Sequence, residues 1–347
     1  MTLLLWLLGG LVLGVGAERL VGAARPASGE GSDAGAPSAS RPRRSRRRIV
    51  GFTALALVTL LVVGAIGGYL WADSVFDRIE KVDVSEQLAG GSGTNYLLVG
   101  SDNGKEGGEQ REGVSGARSD TIMVLRIEGG RAKMLSLNRD LLVTNPATGG
   151  EGRLNATYNA GPANLVRAVT ESFAIPIHRY VEIDFVSFGG LVDAFGGIDV
   201  NFPNPTLDRG SGLDVPEAGV AHLDGDQALA YVRSRYYTEI IDGREVPQGG
   251  LPDVNRTERQ QRFLRQIMKK AGSKRNPFTL MSAASKMSGG LRIDDDMTMI
   301  DAARFAWDMG RMDPETVVLP VVPRTTAGGA SVLDVGEGSA AVLAQFR

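Results

Sequence analysis

The longest apolar run in the chain is Ile49 to Ala72, 24 residues without a charge. At 1.5 Å per residue such a helix spans a hydrocarbon layer of ~30 Å with some tilt. Tyr69 and Trp71 stand at its far end, where interfacial aromatic residues collect. A shorter uncharged run covers residues 1–17 and includes four glycines. It predicts a further membrane-associated element within residues 1–22. Residues 23–40 are small and polar, the composition of a flexible linker.

Beyond Asp73 the pattern changes to short apolar segments separated by amphipathic ones. NYLLVG (95–100) reads as a buried strand. TIMVLRI (121–127) and AKMLSL (132–137) read as two strands joined through the turn signal EGGR. Pro162–Phe173 predicts a helix with proline in its first turn. RYVEID (179–184) and IDVNF (198–202) predict strands on either side of an apolar helix that ends at Phe195. Asp224 is placed to cap a helix running to about Val232, and Thr257–Lys270 predicts a longer one. Further helices are expected over Pro277–Met287 and Met297–Met309, before a strand at 316–321. Strands alternating with helices imply an α/β layered domain. The expected organisation is a linker over 23–48, a transmembrane helix over 49–72, a connector over 73–93 and one globular domain over 94–347.

Charge changes this picture in its layout. The chain has 38 Lys+Arg against 40 Asp+Glu, a net of −2. Near-neutrality argues against a nucleic-acid partner. Residues 1–72 nevertheless hold eight basic and three acidic side chains. Six of those are the arginines of RPRRSRRR (41–48), immediately before the apolar run. The positive-inside rule puts that side in the cytoplasm and the chain after Asp73 outside. There are no cysteines and only two histidines, which excludes thiolate chemistry and multi-histidine metal sites.

Three stretches carry charge where the pattern calls for core. In the first, Ser101-Asp102 follow a strand and Arg118-Ser119-Asp120 open the next, across a glycine-rich loop. Ligands collect beyond strand carboxyl ends in open α/β sheets. Two carboxylates without histidine suit a hard cation, Mg²⁺ or Mn²⁺; the alternative is an Asp turn and a strand cap. In the second, Arg139-Asp140 follow AKMLSL, as a site pair or as a structural ion pair. In the third, Arg233 and Arg235 end one helix, and Arg256 and Arg259 begin another. On a helical wheel Arg256, Gln260, Phe263 and Ile267 share one stripe, while Arg262 and Arg265 face away. An arginine on a core-facing stripe is costly unless an anion or a carboxylate such as Asp253 or Glu258 meets it. Guanidinium forks match phosphate bidentately. No GxxxxGK[ST], GxGxxG, GxSxG or HExxH motif is present. The residues therefore suit a phosphate or pyrophosphate, with a divalent ion, outside a membrane.

The motifs NYLLVGSD, RSDTIMVLRI, SLNRD, LNATYNAG, GGIDV, LDGDQALAYVRSR and DVNRTERQQ, in that order over about 95–270, resemble the LytR–CpsA–Psr family of bacterial cell-envelope enzymes. The resemblance implies a three-layer α/β/α fold with a central mixed sheet, set on a transmembrane helix in the cell membrane, its catalytic domain extracytoplasmic. It implies a phosphotransferase that moves a glycopolymer from a polyprenyl-pyrophosphate carrier onto a peptidoglycan hydroxyl, with pyrophosphatase as a side activity. Attachment to a surface protein, or binding of the lipid-linked polymer without turnover, are the alternatives. By the same resemblance Asp102 and Asp120 bind Mg²⁺, with Mn²⁺ as a substitute. Arg118, Arg139, Arg233, Arg235, Arg256, Arg259 and Gln260 hold the pyrophosphate. Asp102, Asp120, Arg118, Arg139 and Arg256 are the expected catalytic set. The expected partners are the lipid-linked glycopolymer, peptidoglycan and membrane lipid.

Overall fold

The computed structural model describes residues 44–91, 95–102, 105–106, 109–110, 118–250, 252–273 and 283–347. The expectations for residues 1–43 and for the start of the helix at Pro277 lie outside these. Helix α1 covers Arg44–Phe76, so part of the arginine-rich segment is helical. Its stretch Phe52–Phe76, 25 residues, is long and apolar enough to cross a membrane.

Residues Val62–Arg347 form one compact unit. Its centre is a seven-stranded sheet built from β1 (Glu80–Val82), β2 (Asn95–Asp102), β3 (Arg118–Glu128), β4 (Arg131–Leu137), β5 (Arg179–Asp184), β6 (Leu291–Asp294) and β7 (Glu315–Val318). The spatial order is β1-β6-β5-β2-β3-β4-β7. The sheet is mixed. β1 with β6, β5 with β2, and β4 with β7 are parallel; the other neighbours are antiparallel. The predicted hairpin is β3–β4. Gly129 and Gly130 both take positive φ in its turn, 57° and 76°, which side chains tolerate poorly.

Strand alternation sends the two halves of each strand's side chains into separate layers. Leu97, Val99, Ile122, Val124, Leu135 and Leu137 point to one face, covered by α2 (Pro162–Phe173) and the C-terminal residues Leu343 and Phe346. Met123, Leu125 and Met134 point to the other, against Leu264 of α5 (Pro252–Ser273) and Phe305 and Met309 of α6 (Met299–Met309). Three layers result. A third apolar cluster joins α3 (Phe185–Ala194) and α4 (Gly225–Arg233) to strands 198–202 and 213–215 and to Phe263 and Ile267 of α5.

Two of the boundaries that differ from the sequence expectation are set by proline. α5 starts at Pro252 rather than Thr257, because proline fits the first helical turn, where its missing N–H has no partner to lose. β7 stops at Val318, short of Pro320, which cannot donate to a ladder.

Candidate functional site

β2 and β3 run side by side until their ladder is interrupted. Gly100 opposes Thr121, but Ser101 opposes Ser119 and Asp102 opposes Arg118. Asp120 is therefore the extra residue of a β-bulge, a device that re-aims side chains beside sites. Asp102, Arg118 and Asp120 are described through their backbone, which puts all three at one end of the sheet. β4 leaves the sheet at this same end, since Leu137 pairs with Ile122. Arg139 follows two residues on, after Asn138. Two carboxylate residues on adjacent strands, with no cysteine or histidine beside them in the sequence, fit a hard divalent cation. Among the described residues, no group of three or more His, Asp or Glu could hold a metal.

The turn after β4 is pinned on several sides. Asn138 Oδ1 accepts the N–H of Asp140 at 2.9 Å. The carbonyl of Arg139 accepts the N–H of Asn155 at 3.0 Å, and that of Asp140 accepts the N–H of Leu333 at 2.9 Å. Asp140 lies between Arg139, at 3.7 Å, and Arg153, at 3.3 Å. The structural ion-pair reading of Asp140 thus has a partner that the sequence left unnamed, Arg153.

The arginines of the third stretch sit on a loop whose main chain is held from both sides. Asp224 caps α4 with a reciprocal box, its carboxylate accepting from Gln227 N–H at 2.9 Å. α4 ends at Arg233, exposed, and Arg235 is half-buried after it. A helix end leaves carbonyls unsatisfied. Gln260 Nε2 donates to the Val232 carbonyl at 3.2 Å, and Arg259 Nη2 donates to the Ser234 carbonyl. Opposite them, the buried carboxylate of Asp208 accepts the N–H of Arg235 at 2.9 Å, the N–H of Tyr236 at 2.8 Å and the Ser234 hydroxyl at 2.7 Å. It also accepts the N–H of Gly210 at 2.8 Å. Burial alone would raise the Asp208 carboxyl, but the hydrogen bonds from Ser234, Tyr236, Gly210 and Arg235 outweigh it and hold it below the usual carboxylate range.

Arg259 also donates to Gln248 Oε1 at 2.5 Å and lies over the Tyr237 ring at 5.0 Å. Burial pulls its guanidinium below the ordinary arginine value, though an arginine stays charged. Arg259 and Gln260 thus bind the main chain at Val232 and Ser234 and, through Arg259, the side chain of Gln248. Arg256 is 4% exposed, on the stripe with Gln260, Phe263 and Ile267; Arg262 is exposed as expected, but Arg265, expected to face away as well, is half-buried. The helical wheel anticipates that stripe. It does not anticipate Gln261, 2% exposed, which with Thr257 and Glu258 faces Ser136 and Asn138 across a small cavity of about 30 Å³.

α5 is thereby the joint of the site. Its Arg259 and Gln260 grip the end of α4, its Thr257 and Gln261 face the end of β4, and its buried Arg256 shares the stripe of Gln260. Asp208 and Tyr237 are the members that sequence reading missed. Asp208 precedes an Arg-Gly-Ser-Gly turn and reads locally as a turn former, with nothing to tie it to Arg235.

The LytR_cpsA_psr family profile matches residues 72–343, most of the chain and all of this site. The chain belongs to the LytR–CpsA–Psr family. It is 31% identical over 320 residues to the probable cell wall biosynthesis protein LcpB of Corynebacterium glutamicum, covering 88% of this chain and 72% of that protein. It is also 31% identical over 259 residues to the polyisoprenyl-teichoic acid–peptidoglycan teichoic acid transferase TagU of Enterococcus faecalis, covering 71% of this chain and 79% of TagU. The LytR-Csp2A-Psr enzyme from Actinomyces oris has a similar solved structure, with a TM-score of 0.64 at 26% identity, covering 78% of this chain and 96% of that one. The three-layer fold with its mixed sheet is thus one this chain shares with a solved member of the family.

Proposed function

We propose that this LytR–CpsA–Psr protein is a phosphotransferase that moves a glycopolymer from a polyprenyl-pyrophosphate carrier onto a hydroxyl of peptidoglycan. One observation carries the reading: α5 ties the sheet end bearing Asp102, Arg118, Asp120 and Arg139 to the loop bearing Arg233 and Arg235, and itself bears the buried Arg256. Arginines and two carboxylate residues carried on the elements that α5 joins suit a pyrophosphate and its counter-ion. The naming of TagU as a teichoic acid transferase supports the same class of reaction.

In this reading the acceptor oxygen attacks the phosphorus nearest the sugar. The bond from that phosphorus to the bridging oxygen breaks, polyprenyl phosphate leaves, and a sugar–peptidoglycan phosphodiester forms. The acceptor proton passes to Asp102 or Asp120. Arg118, Arg139, Arg233, Arg235 and Arg256 neutralise charge spreading over the phosphate oxygens, which is most of what phosphoryl transfer asks of a protein. Arg259 and Gln260 hold the arginine loop in place. A bound Mg²⁺ would be held by Asp102 and Asp120 and would supply further charge neutralisation. α1 crosses the membrane with its arginines in the cytoplasm, which leaves the domain on the outer side, where lipid-linked polymer and peptidoglycan meet.

The test is Arg256→Ala in a strain lacking the native gene. Wall-bound polymer should be lost while the protein keeps its melting temperature to within a few degrees. Full attachment by that variant would refute the assignment.

A further inference from the structure

The motif LNATYNAG has no part in the reaction above, yet Tyr158 within it reaches the sheet. Glu182, in β5, is fully buried. Its Oε1 accepts the hydroxyl of Tyr158 at 2.5 Å and that of Ser101 at 2.6 Å. Its Oε2 accepts the hydroxyl of Tyr180 at 2.6 Å. Arg292, in β6, donates from Nη1 to both oxygens at 3.3 and 3.2 Å and also to the Tyr158 hydroxyl at 3.2 Å. Its Nε donates to Glu80 of β1 at 3.0 Å. Burial, followed by the Glu182 charge, pushes both tyrosine hydroxyls well above their ordinary value, so both remain donors.

A carboxylate removed from water is costly unless donors and a cation meet it. Glu182 has three hydroxyls and one guanidinium. The network is satisfied, so it is rigid. What it grips is specific. Ser101 is the residue of β2 at which the ladder with β3 slips, opposite Ser119 and one position before Asp102. Ser101 pairs with Ser119 of β3 past the bulge and with Asp184 of β5 on its other side, and its hydroxyl adds a side-chain tie to Glu182 of β5.

We infer that Tyr158, Glu182 and Ser101 are positioning residues that set the end of β2, and through it the placement of Asp102 toward a divalent cation. The inference rests on the reading that Asp102 and Asp120 hold that cation. None of the three touches the reacting groups; they act through the strand. Arg292 balances the charge of Glu182 and links the network to β1.

The test is direct Mn²⁺ titration of the full chain in nanodiscs, followed by electron paramagnetic resonance without substrate, with melting recorded for every variant. Ser101→Ala and Tyr158→Phe each remove one donor and should weaken Mn²⁺ binding about fivefold or more, the loss expected for one hydrogen bond of ~1 kcal/mol. Val169→Ala, a core change on α2 outside the network, should lower the melting temperature and leave Mn²⁺ affinity unaltered. Wild-type Mn²⁺ affinity in folded Ser101→Ala, with binding lost in Asp102→Asn, overturns the positioning role alone. Unaltered binding in Asp102→Asn overturns the cation reading and this inference with it.

Discussion

The carboxylate of Asp208 accepts the main-chain N–H of Arg235 at 2.9 Å, across 27 residues of sequence. The same carboxylate takes the next N–H, of Tyr236, and the hydroxyl of Ser234. Arg259 and Gln260 take carbonyls on the same loop. A loop whose main chain is fixed on both its donor and its acceptor side would lose less ordering entropy if its arginines bind the proposed anion.

Asp208→Asn should therefore act on binding as well as on stability. The amide keeps one acceptor and faces main-chain donors with a donor of its own. We expect a loss of about 2–3 kcal/mol in urea unfolding. In a transfer assay at permissive temperature, KM for the lipid-linked donor should rise about tenfold, with a smaller change in kcat. An unchanged KM would remove Asp208 from the account of the loop.

Arg259→Lys separates charge from geometry. Lysine keeps the cation but cannot bridge the Ser234 carbonyl and Gln248 as a planar fork does. The expected cost is about 1–3 kcal/mol, read by thermal unfolding, with faster amide exchange in the hairpin 238–247. A lysine variant as stable as the parent would show that the fork is dispensable.

The Glu182 network predicts an alkaline signature. Tyr158 and Tyr180 have raised values in the folded state. The unfolded chain ionises its tyrosines first, near pH ~10. Their contribution is complete below that pH and is lost as pH rises above it, at about 1.4 kcal/mol per pH unit for each retained proton. Urea melts from pH 9 to 11.5 should show a falling stability, and Tyr158→Phe should make that fall shallower by about one proton. A slope unchanged by the variant would contradict it.

Close packing at the α3–α4 crossing gives a purely structural prediction. A methyl on Gly225 would overlap the carbonyl of Gly189. Gly225→Ala should cost about 1–3 kcal/mol because the atoms it would meet are all Gly189 backbone and cannot yield cheaply. Its effect on transfer should follow its effect on the folded fraction.

Much of this was readable in the sequence because local rules dominated. The β3–β4 hairpin follows from two glycines between alternating strands, and α4 follows from the Asp224 capping signal. The stripe Arg256, Gln260, Phe263, Ile267 follows from helical periodicity. Long-range pairings were not readable. Asp208 and Arg235 are joined by folding alone, and Glu182 sits in a strand where its charge looks solvent-facing until Tyr158 and Arg292 are brought over it. The small strands at 206–208, 213–215, 238–241 and 244–247 were missed because they are too short for periodicity to register. The bulge at Asp120 is a matter of register, which appears only when two strands are paired.

The central claim is group transfer at a pyrophosphate. The direct measurement reconstitutes the full chain in nanodiscs with Mg²⁺, a polyprenyl-pyrophosphate-linked glycan and peptidoglycan oligomers, and follows both products. The account predicts polyprenyl phosphate released in step with glycan joined to peptidoglycan through a phosphodiester, and neither product with Arg256→Ala. Tight binding of the lipid-linked glycan with no cleavage of its pyrophosphate would contradict it and make the protein a binder.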